Sequence, residues 1–152
     1  MYNMVRDYPI NEIILRKYEK PYGMSKRDLI KKICLSLGLL QPGDSRDIIV
    51  DILNVLIENS NNKIKSNSIE IKNKVVDLRK KNNLGLKGIA DSNIRRQLKR
   101  LRDLMIVEKQ NNLYHISEFE TLERIFDDKI EKFILRPNIE RIKEYLRELE
   151  KI

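Results

Sequence analysis

The stretch ADSNIRRQLKRLRDLMIVEKQNNLYHIS, Ala90 to Ser117, decides how this chain is read. Its first half has the period of an amphipathic helix. Ile94, Leu98, Leu101 and Met105 recur at spacings of three and four, and at about a hundred degrees per residue they fall within about sixty degrees of one another. Around that stripe stand Arg95, Arg96, Lys99, Arg100 and Arg102. The second half reads as two short strands on either side of a polar turn, Lys109-Gln110-Asn111-Asn112. A basic helix that runs into a β-hairpin has the build of a recognition helix followed by a wing.

The helical wheel orders the polar side chains. Opposite the stripe lie Ser92, Arg96, Lys99 and Asp103, with Asn93 and Arg100 at one edge. The expected DNA-binding set is therefore Ser92, Asn93, Arg95, Arg96, Lys99 and Arg100 on the helix, with Lys109, Asn111 and Asn112 on the wing. These residue types suit groove and backbone recognition, because arginine bonds bidentately to guanine, asparagine to adenine, and serine to phosphate. Arg95 and Arg102 sit on the flank and suit phosphate or acidic neighbours. Lys63, Lys65, Lys72, Lys80, Lys81 and Lys87 could add backbone contacts, although for any one of them an ordinary solvated lysine is the better reading. A solvated basic helix is the competing reading, and the hairpin directly behind it tips the balance.

Charge distribution points the same way. The net charge is +8, but Lys63 to Lys109 holds fourteen Lys and Arg against five Asp and Glu, while the remainder holds seventeen against eighteen. The whole excess lies in one third of the chain, the footprint expected of a phosphate-binding surface. Charged residues make up 36% of the chain, a load common in thermophile proteins. At 152 residues, with 41% apolar residues, one compact domain with a helical appendage is expected.

Catalysis finds little support. With one cysteine and one histidine, disulfide frameworks and Cys/His zinc sites within a monomer are excluded. Cys34 lies among Ile30, Ile33 and Leu37 and is expected in the core, and His115 falls on the second wing strand. No glycine-rich phosphate loop, Ser-His-Asp set or paired-histidine motif is present. Asp127 and Asp128 read as surface charge. No enzymatic activity, metal or cofactor is expected. No run is long enough to span a membrane, and no signal-peptide apolar segment opens the chain, so a cytoplasmic protein is expected.

Three segments emerge. Residues 1–43 form an N-terminal helical segment, with a short apolar piece at Ile10–Leu15 and a helix from a Ser25/Asp28 capping box to Ser36. Residues 44–117 form the helix-turn-helix and wing. The first helix is expected from Asp44 or Ser45 to Glu58, with Asn59 to Asn62 as a polar break. The second runs from Ser66 or Asn67 to Asn82, and the third from an Asp91 cap to Met105. Residues 118–152 form C-terminal helices. One opens with a Ser117-x-x-Glu120 capping box and is broken at Pro137. A last helix carries Ile139, Ile142, Leu146 and Leu149 as a coiled-coil seam suited to a homodimer, packing onto its own domain being the competing reading. The fold class is mainly α with a small β-hairpin wing: a winged helix-turn-helix with extra helices at both ends.

Asp44 to Ser117 resembles winged-helix transcriptional regulators. PYGMSKRDLIKKICLSLGLLQPGDSRDIIVDIL, together with LKGIADSNIRRQLKRLRDLMIVEK, is similar to a set of small archaeal winged-helix proteins that includes the euryarchaeal archaellum regulators. The resemblance implies a sequence-specific DNA-binding activator acting on double-stranded DNA, with an archaellum operon as target. Spacing and charge by themselves imply only a nucleic-acid binder. They leave open a winged helix that binds protein or RNA instead. A nuclease subunit would need a carboxylate cluster that the sequence lacks.

Overall fold

A computed structural model describes Pro9 and residues 11–152. The described chain is mainly helical, with one two-stranded antiparallel hairpin. The Ile10–Leu15 piece lies partly outside the described residues; 11–15 form no regular element, and the Leu15 side chain is exposed.

Helix α1 spans Lys26–Ser36. Ser25 caps it, its Oγ accepting from the Asp28 backbone N–H at 3.1 Å. Asp28 makes no return bond, so only half of the expected box forms. Past the helix, Gly38 has φ +75°, and a β-carbon there would lie 1.8 Å from the Glu12 carbonyl oxygen. Both facts require glycine.

Helix α2 spans Ile48–Asn61, which corrects the expected start at Asp44 or Ser45. Asp44 instead accepts from the Arg46 N–H at 2.9 Å, an Asx turn that holds the chain out of the helix. The helix also runs through the expected break at Asn59. That side chain is buried and fully engaged: its Nδ2 donates to Ser66 Oγ at 3.2 Å and its Oδ1 accepts from Lys74 Nζ at 2.7 Å. Ile48, Ile49, Ile52, Leu53, Val55 and Leu56 are buried, making α2 the axis of the core, as its apolar circumference predicts.

Helix α3 spans Ser68–Lys81 behind a complete capping box of Asn67 and Glu70. Helix α4 spans Asp91–Asp103. Asp91 is its first helical residue and not its cap, because its carboxylate is drawn to Lys72 at 2.6 Å. The helix also stops short of Met105, which has φ +64°, so Leu104 is buried where Met105 is expected.

Strands β1 (Val107–Gln110) and β2 (Leu113–Ile116) pair from Val107↔Ile116 to Gln110↔Leu113. The turn is therefore Asn111-Asn112 alone, with φ +52° and +63°, while Lys109 and Gln110 belong to β1. Two successive left-handed residues match the twist of a tight hairpin, and asparagine tolerates that region best after glycine. Ser66 adds an isolated antiparallel bridge to β2: its backbone exchanges bonds of 2.7 and 3.1 Å with Tyr114.

The expected box at Ser117-x-x-Glu120 does not start a helix. Ser117–Phe119 is a single tight turn with Glu118 and Phe119 at φ +54° and +53°, and the Ser117 hydroxyl is engaged by Glu108. Thr121 caps helix α5 (Leu122–Ile125) instead. This helix passes through a π-helical stretch, Phe126–Leu135, into α6 (Arg136–Glu150). Pro137 does not break it. Proline falls in the first turn of α6, where its missing N–H removes little.

One continuous set of buried apolar side chains runs from Ile30 and Cys34 through α2, α3, α4 and the hairpin to Ile125 and Ile130. Leu122, Phe126, Ile134 and Leu135 pack against it, so residues of all three segments share this core. Helix α6 has no buried residue.

Candidate nucleic-acid interface

Ile94, Leu98 and Leu101 are fully buried and anchor α4 on the core. Their placement turns Ser92, Arg95, Arg96 and Lys99 to solvent. The outward orientation expected of Ser92, Arg96 and Lys99 is seen, and Arg95, expected on the flank, is exposed as well. The expectation does not hold for Asn93 and Arg100, which are half-buried and held inward. Asn93 Nδ2 donates to the Gly88 carbonyl at 2.7 Å, and its Oδ1 accepts from Gln97 at 3.1 Å. Arg100 donates to Gln97 Oε1 at 2.7 Å and to the Gly38 carbonyl at 3.0 Å. The wheel places both residues at an edge, and the turn beyond α1 and the Gly88 turn cover that edge. Arg102 stands exposed on the opposite flank and so widens the basic face. Lys99 makes a 3.4 Å ion pair with Asp103; both ends are exposed, and such pairs exchange readily for other partners.

The hairpin lies beside this face. Asn111 and Asn112 are exposed at its tip, and Lys109 Nζ lies 5.5 Å from the centroid of the Tyr114 ring. Lys65 Nζ donates to Gln110 Oε1 at 3.2 Å and brings a further cation to the strand. Between α4 and β1 runs a polar cleft of about 490 Å³, lined by Lys99, Arg102, Asp103, Glu108, Lys109 and Gln110. Basic side chains from the helix and from the hairpin thus share one cleft. Periodicity cannot reveal this, because it needs the hairpin to fold back beside the helix.

The other basic residues divide. Lys63, Lys80, Lys81 and Lys87 are exposed, whereas Lys72 is engaged by Asp91 at the start of α4. Arg79 is buried. It bonds Asp47 at 3.0 Å and also binds Asp51 and the Gly85 carbonyl, while Arg27 bonds Asp47 at 2.9 Å and pairs with Asp51. Two guanidiniums and two carboxylates thereby tie α1, α2, α3 and the turn before α4 together. Burial works to raise the Asp47 carboxyl, but the Arg79 bond and the Arg79 and Arg27 charges outweigh it and hold the group below 3.8. The signal for this cluster is Asp51, a carboxylate set among the isoleucine, valine and leucine side chains of the most apolar helix.

A second cluster sits at the base of the hairpin. His115 Nε2 meets Glu108 Oε2 at 3.0 Å, the Ser117 hydroxyl donates to Glu108 Oε1 at 3.0 Å, and Lys129 bonds Ser117 and lies 3.8 Å from Glu108. Burial again opposes ionisation of Glu108, yet the bonds from Ser117 and the Glu118 backbone and the nearby cations lower its pKa. The hairpin is thereby bonded to the π-helical stretch. His115 is buried with its ring 4.9 Å from that of Phe119, in the structural position expected. Cys34 is buried as expected, and its thiol is pushed up to about 12 by burial.

Among the described residues, no group of three or more His, Cys, Asp or Glu is placed to hold a metal ion. Among them, too, no helix is long and apolar enough to cross a membrane. No protein-family model matches this chain, and neither a curated protein nor a solved structure is detectably similar to it.

Proposed function

We propose that this chain is a winged-helix, DNA-binding transcription regulator. The observation that supports it best is the shared cleft, where Lys99 and Arg102 of α4 lie beside Lys109 of the hairpin; Arg95 and Arg96 are exposed on the same helix, and Asn111 and Asn112 at the hairpin tip. Three apolar anchors make α4 a rigid carrier for those side chains. In this reading Arg96 and Ser92 face base edges in the major groove, Arg95, Lys99 and Arg102 meet phosphates, and the wing tip follows the backbone or minor groove. Asn93 and Arg100 position the helix and do not read bases.

Fluorescence anisotropy on duplex DNA from a selected binding site tests this. Arg96→Ala is expected to cost roughly 1–3 kcal/mol on that site and less on random duplex. Equal loss on both makes Arg96 a phosphate contact, and no loss removes α4 from the interface. The narrower expectation of an archaellum operon rests on the sequence resemblance alone. Mapping bound sites across the source genome tests it.

A second reading follows from the inward turn of Asn93 and Arg100. With fewer side chains left to read bases, the same basic face suits recognition of shape, as in binding to duplex RNA. Competition by duplex RNA of unrelated sequence at equal affinity favours that reading.

A further inference from the structure

Helix α6 is fifteen residues long and buries none of them. Ile139, Ile142, Tyr145, Leu146 and Leu149 stand exposed along it, a third of the fifteen large apolar side chains exposed among the described residues. With Leu135, four of them form a stripe: Leu135, Ile139, Ile142, Leu146 and Leu149 recur at spacings of four, three, four and three. The first is packed against the core, and the other four lead away from it over a helix of roughly 22 Å. An isolated helix of about fifteen residues is marginal in water and gains its stability by packing an apolar stripe. The 3-4 repeat is the spacing that packs against another helix as a coiled coil. Residues 122–135 do not share this character, since all their apolar side chains except the exposed Phe133 already pack on the core.

We propose that α6 pairs antiparallel with α6 of a second copy of this chain. The flanking charges select both the partner and the direction. With Ile142 set opposite the second copy's Leu146, and Ile139 opposite its Leu149, Arg136 of each chain comes beside Glu150 of the other. Tyr145 comes beside the second copy's Tyr145. The two Lys143 side chains meet at the centre, where long stems splay apart. Two opposite-charge contacts thus stand against one like-charge contact. In a parallel pair the corresponding neighbours are Asn138 with Lys143 and Tyr145 with Glu150, and neither is an ion pair. The pairing does not depend on DNA binding.

Sedimentation equilibrium on the full chain tests it, with disulfide mapping as an independent measure. The unmodified chain is expected as a dimer at tens of micromolar. Leu146→Asp, on an exposed helix face, is expected to leave thermal unfolding of the domain intact and weaken self-association more than about tenfold. For direction, Ile139→Cys and Leu149→Cys chains are mixed and oxidised; native Cys34 is buried and does not interfere. Crosslinks between the two different variants, and not within either alone, support the antiparallel pair. Crosslinks of each variant to itself, a trimer or larger assembly, or a monomer at those concentrations overturns it.

Discussion

At the scale of single residues, the buried ion cluster and Gly38 make the sharpest predictions. Arg79→Met leaves Asp51 buried with only Arg27 to balance it. Removing one member of a buried pair costs about 3–5 kcal/mol, and the surviving Arg27 bond places this case toward the lower end; urea denaturation measures it. Asp47 adds a pH dependence. Its folded pKa is depressed, so its contribution is full above the unfolded value of 3.8 and fades as pH falls through the lower folded value. The penalty of Asp47→Asn should accordingly be constant from about pH 5 to 7 and vanish in strong acid. Gly38 and Gly43 share φ +75°, but only Gly38 has backbone within reach of an added β-carbon. Gly43→Ala should cost about 1–2 kcal/mol, the left-handed conformational penalty alone. Gly38→Ala should cost more, because Glu12 must move, and the difference between the two melting curves isolates that contact.

At the scale of elements, the hairpin and the long C-terminal helix behave unlike their one-dimensional patterns. The Asn111-Asn112 turn holds both residues at positive φ. Asn112→Gly should leave stability unchanged or slightly raised. Asn112→Val should lower it by about 1–2 kcal/mol and shift the hairpin amide resonances, since a β-branched side chain resists that region. Pro137 sits where a proline is tolerated, so Pro137→Ala should move the denaturation midpoint by less than about 1 kcal/mol and leave the helical circular dichroism unchanged. A clear gain in helicity would mean that the proline does interrupt the helix in solution.

At the scale of the whole molecule, the proposed functions meet in salt dependence. If two copies paired through α6 both engage a duplex, the number of neutralised phosphates doubles relative to one copy. The slope of log affinity against log salt for Leu146→Asp should then be about half that of the unmodified chain. Equal slopes would show that one domain alone contacts DNA. The Glu108–Ser117–Lys129 bonds join the hairpin to the helical stretch from which α6, the proposed dimer arm, projects.

The sequence by itself determined the helices whose apolar residues recur at helical spacing, the hairpin with His115 on its second strand, the burial of Cys34, and the outward face of Ser92, Arg96 and Lys99. Periodicity and turn chemistry are local, and so are the forces that set these features. It also showed α6 as an apolar seam, because the stripe is a property of that helix alone. Only the tertiary structure decided the rest. Asn93 turned inward to the carbonyl of the Gly88 turn, and Arg100 to that of Gly38, 62 residues away in the chain, where no wheel can place it. Helix ends moved where a polar side chain found a distant partner: Asp91 with Lys72, Asn59 with Ser66 and Lys74, Ser117 with Glu108. A capping residue is free to cap only while nothing better is within reach, and what lies within reach is set by how the helices pack.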